Sequence, residues 1–483
     1  MTNTAPTLPE WSAEELQQKL LPELLQWSLA NGGTIYPQGF TINQAEALTM
    51  TLFPTPLPRQ ALEKAVAVQT SYNELYARIA QDKGGWLSEV TEQLSNFDVD
   101  FTGRLWKLYQ EAQALGISQR IGLGVFRSDY LLDADTGELK QVEFNTVSVS
   151  FAGLSTKVGA VHKFLNEAGK YATDGARFYE SEVPVSESAV LLPRGLADAA
   201  KKYNSLTGSS DSIVAFIVQR GERNVVDQRI LEYNLFERYG VKSVRLMLHE
   251  VHERTRTDPV TKRLYLKSTG QEISVVYFRT CYSPDDFASE LDWKNRLLLE
   301  VSYAIKAPNL LTQLSGTKKV QQLLSQEAVL AKFLPADRRS EIDATFVNLY
   351  PLDDSPLGKE GKRLALESPE RYVLKPQREG GGNNIYKEDI PAFLESIPEA
   401  DWSGYVLMEL INPKLNDNVL VRGEELFSEP LISELGIYGT ILFSDEEIFS
   451  NEYAGWLLRS KLPSSNEGGV AAGFGCVDSM VLY

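Results

Sequence analysis

Cysteine and histidine are nearly absent from this chain, and their absence excludes several chemistries. Cys281 and Cys476 are the two cysteines in 483 residues. Two thiols cannot build a disulfide framework or a cysteine-ligated zinc site. The three histidines are His162, His249 and His252. His249 and His252 are close in sequence, but they sit in a charged stretch that reads as surface and lack metal-motif spacing. A Ser-His-Asp or Cys-His nucleophile system is therefore not expected. Basic residues are in deficit, with 48 Lys and Arg against 65 Asp and Glu, for a net charge of −17. That balance argues against a nucleic-acid surface, where phosphates reward pooled cations. Plain solubility accounts for it equally well. An anionic ligand must then be met by local cation clusters: Lys375 with Arg378, Lys318 with Lys319, and Arg459 with Lys461. No long apolar run, no secretory-type leader and no Asn-x-Ser/Thr acceptor is present. The expectation is a soluble cytoplasmic protein that binds neither membrane nor nucleic acid.

What is present suits a large mixed fold. The 43% hydrophobic content supports a sizeable core, and the length suits roughly two to four domains. Ser12 and Glu15 have capping-box spacing ahead of Leu16, Leu20, Leu24 and Trp27, which predicts a helix over 12–30 with Pro22 placed to kink it. A Pro-rich break at 52–58 precedes a second helix near 60–81, striped by Leu62, Val66, Tyr72, Leu75 and Ile79. Residues 203–212 are polar and turn-rich and read as a boundary. Beyond it, strands are expected from Ile213 to Val218, Val241 to Leu248 and Ile273 to Phe278, with a helix from about Asp227 to Tyr239 ending at Gly240. Strands alternating with helices predict an α/β unit with a partly parallel sheet. A helix is expected over 291–305, and mixed α/β structure thereafter.

The most informative run is Lys375-Pro376-Gln377-Arg378-Glu379-Gly380-Gly381-Gly382-Asn383-Asn384. Glycine backbone can approach an anion closely, and its N–H groups can cradle phosphate oxygens. Lys and Arg add charge, and Glu offers a hard oxygen to Mg²⁺. The same glycines also suit a solvated flexible loop. Upstream, Gln141 to Asn145 alternates at period two: Val142 and Phe144 would face a core, leaving Glu143 and Asn145 together on the other face. Residues two apart on a strand lie about 6.5–7 Å apart at Cα, which lets two oxygen ligands reach one cation. An ordinary half-exposed strand has the same pattern. Ser148 and Ser150 add hydroxyls just beyond. Near the end, Arg459-Ser460-Lys461 is followed by Gly468 to Gly473, a second small-residue loop beside cations and a candidate lid or tight turn. Two other stretches fail common nucleotide patterns. Ser315 to Lys319 lacks the upstream Gly and residue order of a P-loop, and Gly122-Leu123-Gly124 has Arg127 where a dinucleotide fingerprint needs Gly.

Taken in order, these segments closely resemble the eukaryotic glutathione synthetase family, fungal members above all. The resemblance runs from Leu52-Phe53-Pro54 through Phe126 to Tyr130, Glu222 to Arg229 and Lys375 to Asn384 as far as Gly468 to Gly473. It implies a permuted ATP-grasp body with an inserted small α/β substrate-binding domain. The body would comprise residues 1–210 and 309–483, and the insert 211–308. The family activity is ATP-dependent ligation of γ-glutamylcysteine to glycine, usually by a homodimer with two Mg²⁺ per active site.

By the same resemblance, Glu143, Asn145 and Glu379 are the magnesium ligands. Lys306, Lys375 and Lys461 contact ATP phosphates, with Gly380, Gly381, Gly382, Asn383 and Asn384 closing over them. Tyr386, Met408, Glu409, Ile411, Glu434 and Glu467 hold the adenine and ribose region. Arg127, Ser148, Ser150, Glu222, Asn224, Gln228, Arg279, Tyr282 and Arg459 bind dipeptide or glycine, and Val470 and Ala471 belong to the lid. Arg127, Lys375 and Glu379 are the expected catalytic residues. One departure stands out: many members have Gly where this chain has Cys281. A thiol there either tightens the dipeptide pocket or is a packing change. Relatives that use β-alanine replace the Ala471-Ala472 pair, so its presence favours glycine. A β-alanine ligase and a catalytically silent nucleotide-binding regulator are the alternatives.

Overall fold

The computed structural model describes residues 4–377, 383–465, 469, 470, 473 and 475–483. Its frame is a 13-stranded mixed sheet. At its centre the Gly122–Leu132 strand pairs antiparallel with Glu425–Phe443 on one edge. Its other edge is shared by Leu139–Asn145 and, at Gly122, by the parallel strand Ile305–Ala307. Glu425–Phe443 and Ile448–Lys461 form a long antiparallel hairpin. On the far side, Glu272–Phe278, Ile213–Val218 and Ser243–Met247 run parallel. Every residue of Ile213–Val218 is buried, as a parallel strand covered on both faces requires. The sheet thus runs without a break across residues 210 and 308.

Helices cover both faces. On one, Tyr72 and Tyr76 of the Arg59–Ala80 helix stack on Phe144, which packs against Phe126. On the other, the Ser188–Thr207 helix buries Leu192 and Leu196 in the core that contains Tyr438 and Leu442. A separate four-stranded antiparallel sheet orders Leu349–Pro351, Val406–Glu409, Tyr372–Lys375 and Ile385–Tyr386. Its own small core holds Leu352, Ala365, Leu374, Ile390, Leu394 and Leu407.

Several local expectations are corrected. The Ser12–Glu15 capping box forms, but Leu16–Leu20 is a π-helical turn leading into the α-helix Leu21–Asn31. Pro22 lies in the first turn of that helix, where its missing N–H is tolerated. The polar stretch 203–212 is helical as far as Thr207, and the chain turns at Gly208, whose φ is 72°. Tyr203 is fully buried and donates to Glu272 (2.5 Å), a tertiary partner that holds polar residues in a helix. The helix expected over 291–305 is Glu290–Val301, and Ile305–Ala307 instead joins the sheet. The strand expected from Val241 to Leu248 is Ser243–Met247. Val142 is not a core residue. The ladder pairs Tyr130 with Gln141 and Asp129 with Glu143, so Val142 is the extra residue of a bulge.

Candidate active site

Strand register assembles the first half of the site. Arg127 stands opposite Asn145, and Asp129 opposite Glu143. Across the other edge, Gly436 stands opposite Asp129, and Glu434 opposite both Leu131 and Arg459. Ladder partners share a face of the pleat, so Arg127, Asp129, Glu143, Asn145, Glu434 and Arg459 converge. Asp129 is completely buried. It accepts from Arg127 Nε and Nη2 (2.6 and 2.7 Å), Asn145 Nδ2 (2.9 Å) and Arg459 Nη2 (3.2 Å). Arg459 also donates to Glu434. Burial works against the Arg127 charge, but Asp129 outweighs it and keeps the guanidinium protonated. Burial raises the Glu434 carboxyl despite the neighbouring Arg459.

Two lysines close on this face. The bulge turns the Val142 carbonyl outward, where it accepts from Lys375 Nζ (3.0 Å). Lys318 opens the helix Lys318–Leu324, and its Nζ lies 2.9 Å from Glu143 Oε2. Burial alone would raise the Glu143 carboxyl, but Lys318 and Lys375 reverse this and hold it far below the usual range. Gln377 clips the two lysine segments together: its Oε1 accepts from Lys319 N (3.0 Å) and its Nε2 donates to Gly404 O (3.0 Å). Lys318, Lys375 and Met408 line a small cavity between the two sheets. Tyr386 and Met408 both pair with Val373, two residues before Lys375, so all three share a face. Asn384 Nδ2 donates to the Tyr386 hydroxyl (3.2 Å), with Asn383 preceding it. Glu409 points the other way, onto Arg371 (2.7 Å) and Asn348 (2.6 Å). Ile411 follows just beyond that strand, and Lys461 ends the hairpin opposite Ile432.

The second half carries two buried polar atoms with no hydrogen-bond partner among the described residues: Arg279 Nε and Asn224 Oδ1. An unsatisfied buried group costs about 1–3 kcal/mol, so a polar ligand that reached this pair would be favoured there. Around them, Glu222 accepts from Asn224 N (2.7 Å), Gln219 Nε2 (3.2 Å) and Gln228 Nε2 (3.2 Å). Tyr282 donates to Gln219 Oε1 (3.2 Å), and Arg245 Nη2 to Gln228 Oε1 (2.7 Å). The loop 146–151 joins the halves. Ser148 and Phe151 adopt positive φ, 52° and 68°. The Val149 carbonyl accepts from Arg279, and the Ser150 carbonyl from Tyr438 (2.6 Å) and Arg127 (3.5 Å). Asp227 holds the loop's far end, accepting from the N–H groups of Phe151, Gly153 and Leu154 (2.8, 2.7 and 3.0 Å).

A magnesium ion fits the first half. The Asn145 amide gives its nitrogen to Asp129, which leaves Oδ1 as a hard donor beside Glu143. Lys318 Nζ pairs with one Glu143 oxygen, Oε2, in this arrangement. Among the described residues no cluster of three or more His, Cys, Asp or Glu forms a metal cage. Glu379, Gly380, Gly381, Gly382, Glu467 and Ala471 lie outside the described residues. Val470 is buried in the core. Lys306 is not brought to the site: it is completely buried and donates to Ser302 O (2.9 Å). Burial pulls its pKa down to about 8, against the pull of Glu300. A larger cavity of about 380 Å³, lined by Arg78, Trp86, Lys332 and Asp445 among others, contains none of these residues.

The family model of the eukaryotic glutathione synthase ATP-binding domain matches residues 14–482. The chain belongs to the eukaryotic glutathione synthase family. A glutathione synthetase large chain of Schizosaccharomyces pombe is 39% identical over 463 residues, covering 91% of this chain and 92% of that one. The human glutathione synthetase is 37% identical, covering 89% of each chain. A chloroplastic glutathione synthetase of Solanum lycopersicum is 38% identical, covering 97% of this chain and 85% of its own. In fold, the chain is similar to a glutathione synthetase-like effector of Globodera pallida solved without ligand, with a TM-score of 0.77 at 23% identity over 99% of this chain and 100% of that one.

Sequence reasoning about this glutathione synthase-family site missed Asp129, Asp227, Arg245 and Lys318. The Lys318-Lys319 pair had stood out as a cation cluster, yet the P-loop comparison discarded its segment. That segment is the turn between the helices Leu310–Ser315 and Lys318–Leu324, and it delivers a lysine rather than a phosphate-wrapping loop. Gly122 and Gly124 lie inside a central strand, where a Cβ at Gly124 would come within 2.3 Å of the Phe126 ring.

Proposed function

We propose that the protein joins γ-glutamylcysteine to glycine with ATP, forming glutathione, ADP and phosphate. The observation that carries this reading is the loop 146–151, which links a carboxylate–lysine half suited to Mg–ATP with an Arg279–Asn224 half suited to a zwitterionic peptide. Arg127 bonds this loop and lies beside Asn145, so it sits where the two halves meet. Relatives named glutathione synthetase over most of their length support the same substrates.

The reaction converts the cysteinyl carboxylate of the dipeptide to an acyl phosphate, which the glycine amine attacks with loss of phosphate. Bound magnesium, two ions per site, supplies charge neutralisation on the phosphates. Glu143 and Asn145, with Glu379, are the residues we assign to hold it. Lys375 and Lys318 place positive charge beside the phosphates. Arg127, with Ser148 and Ser150, orients the reacting carboxylate. Arg279, Asn224, Glu222, Gln228 and Tyr282 fix the glutamyl end, and Arg459 with Ala471 receives glycine. Tyr386, Met408 and Ile411 face the adenine, while Glu434 and Glu467 approach the ribose. Phosphoryl transfer needs positioning and charge more than a protein nucleophile, which suits a site without Cys or His. We assign dipeptide binding to residues 211–308 and ATP binding to the remainder. A cytoplasmic homodimer completes the proposal; among the described residues no helix is long and apolar enough to cross a membrane.

ADP release that requires both γ-glutamylcysteine and glycine tests this reading. Release without the dipeptide, or a kcat/KM higher with β-alanine than with glycine, refutes it.

A further inference from the structure

Asp129 touches both proposed substrate arginines and a proposed metal ligand, yet no part of the reaction needs a carboxylate at its position. Its two oxygens take four hydrogen bonds from three residues on three strands: Arg127 twice, Asn145 and Arg459. A carboxylate is an acceptor at every lone pair, so only the NH₂ end of the Asn145 amide can face it. The Asn145 nitrogen also lies 3.3 Å from the Arg127 carbonyl, a second acceptor on the same side. The amide oxygen is thereby turned away from Asp129. Backbone space is reserved for the arrangement: a Cβ on Gly436 would sit 2.8 Å from Asp129 Oδ1 and 2.9 Å from Arg127 Cδ.

We propose that Asp129 is a positioning residue that orients the Asn145 amide oxygen toward the catalytic cation and aims Arg127 and Arg459 at the substrates. This rests on the metal reading given above. Removing an outer partner of a metal ligand typically weakens metal binding about 10- to 100-fold.

The test exploits hydrogen-bond polarity. Asp129→Leu keeps the approximate shape but takes both carboxylate acceptors away from the Asn145 nitrogen and the two arginines, so the Asn145 amide is free to turn. Asp129→Asn can still turn its amide oxygen to the Asn145 nitrogen, Arg127 Nη2 and Arg459, but it then sets its NH₂ against Arg127 Nε and removes the charge. Mn²⁺ is the probe, titrated by paramagnetic resonance in the presence of a non-hydrolysable ATP analogue, with dipeptide affinity measured separately by calorimetry. D129L is expected to weaken Mn²⁺ binding about 10- to 100-fold. D129N keeps Mn²⁺ binding to within about 3-fold of wild type, while dipeptide affinity is weakened because Arg127 and Arg459 lack their anion. Gly436→Ala, which displaces the carboxylate without changing its chemistry, is expected to weaken both affinities by a smaller factor. Equal Mn²⁺ binding by wild type and D129L, or a loss in D129N as large as in D129L, overturns the inference alone. No Mn²⁺ binding by wild type with the nucleotide analogue overturns the metal reading and the inference with it.

Discussion

Cys281 adopts φ 73°, a left-handed conformation that favours glycine, and its side chain is completely buried. Its carbonyl accepts from Gln313 Nε2 (2.5 Å), and the next residue, Tyr282, is anchored by its N–H on Asp286 (2.9 Å). A non-glycine residue in this region is strained by about 1–2 kcal/mol. Cys281→Ala removes the buried sulfur, a loss of about 1 kcal/mol, and keeps the strain. Cys281→Gly removes one more buried carbon, worth about 0.8 kcal/mol, but releases the strain. The glycine variant should therefore be as stable as the alanine variant or more stable, by up to about 1 kcal/mol. This reverses the usual order, in which glycine is worse than alanine by about 0.5–1 kcal/mol in regular elements. Cys281→Val, branched at the strained position, should be the least stable of the three. Calorimetric unfolding of the three variants decides the order. The Gln313 and Asp286 contacts are made to backbone, so the dipeptide KM of Cys281→Gly should stay within about 2-fold of wild type, since contacts at unaltered backbone are retained. An alanine variant more stable than the glycine variant by about 1 kcal/mol refutes the strain argument.

Lys318→Met should lower kcat at least about 100-fold and also lower stability, because it leaves the Glu143 carboxylate without its nearest cation, whereas Lys306→Met should lower stability by about 1–3 kcal/mol through the orphaned Ser302 carbonyl and keep kcat within about 3-fold; the reverse pattern in kcat would return the phosphate role to Lys306. Arg279→Lys should raise the dipeptide KM about 10-fold or more with a smaller change in kcat, because an ammonium cannot reproduce the guanidinium's directed donors. His162 is buried, with Nδ1 2.7 Å from Ser479 Oγ and Nε2 2.8 Å from the Thr51 carbonyl. Burial depresses its pKa to about 4, so it stabilises the fold at neutral pH and that contribution is lost as pH falls from about 6.5 through 4, at most about 3 kcal/mol. Burial raises the neighbouring Asp478 to about 6, which acts in the opposite direction over the same range. The readout is therefore the pH dependence of the stability difference between wild type and His162→Gln, and a flat difference would contradict the assignment. Cys281 and Cys476 are both buried, and burial pushes both thiols above their ordinary value. Native protein treated with N-ethylmaleimide and freed of the reagent before the thiol substrate is added should retain activity, and rapid inactivation would show a thiolate reachable from solvent.

Contiguous patterns are what the sequence by itself determined. Ile213–Val218 forms the expected strand residue for residue. The Val225–Tyr239 helix stops at Gly240, and the Arg59–Ala80 helix buries Tyr72, Leu75 and Ile79 as its stripe requires. The ordered motifs also determined the family. Periodicity and capping act within a few residues, so they survive in one dimension. Tertiary structure alone decided which polar groups meet. Val142 leaves the core because Leu139–Asn145 carries one residue more than its partner strand, a mismatch invisible without that partner. Residues 203–207 stay helical because Tyr203 finds Glu272 across the fold. Lys306 and Lys318 look alike as lysines in mixed sequence, yet one is buried against Ser302 and the other reaches Glu143 from 175 residues away. Asp129 reads as one acidic residue in an alternating strand until register sets it among Arg127, Asn145 and Arg459. Charge and burial at a site depend on neighbours in space, and only the pairing of distant strands supplies them.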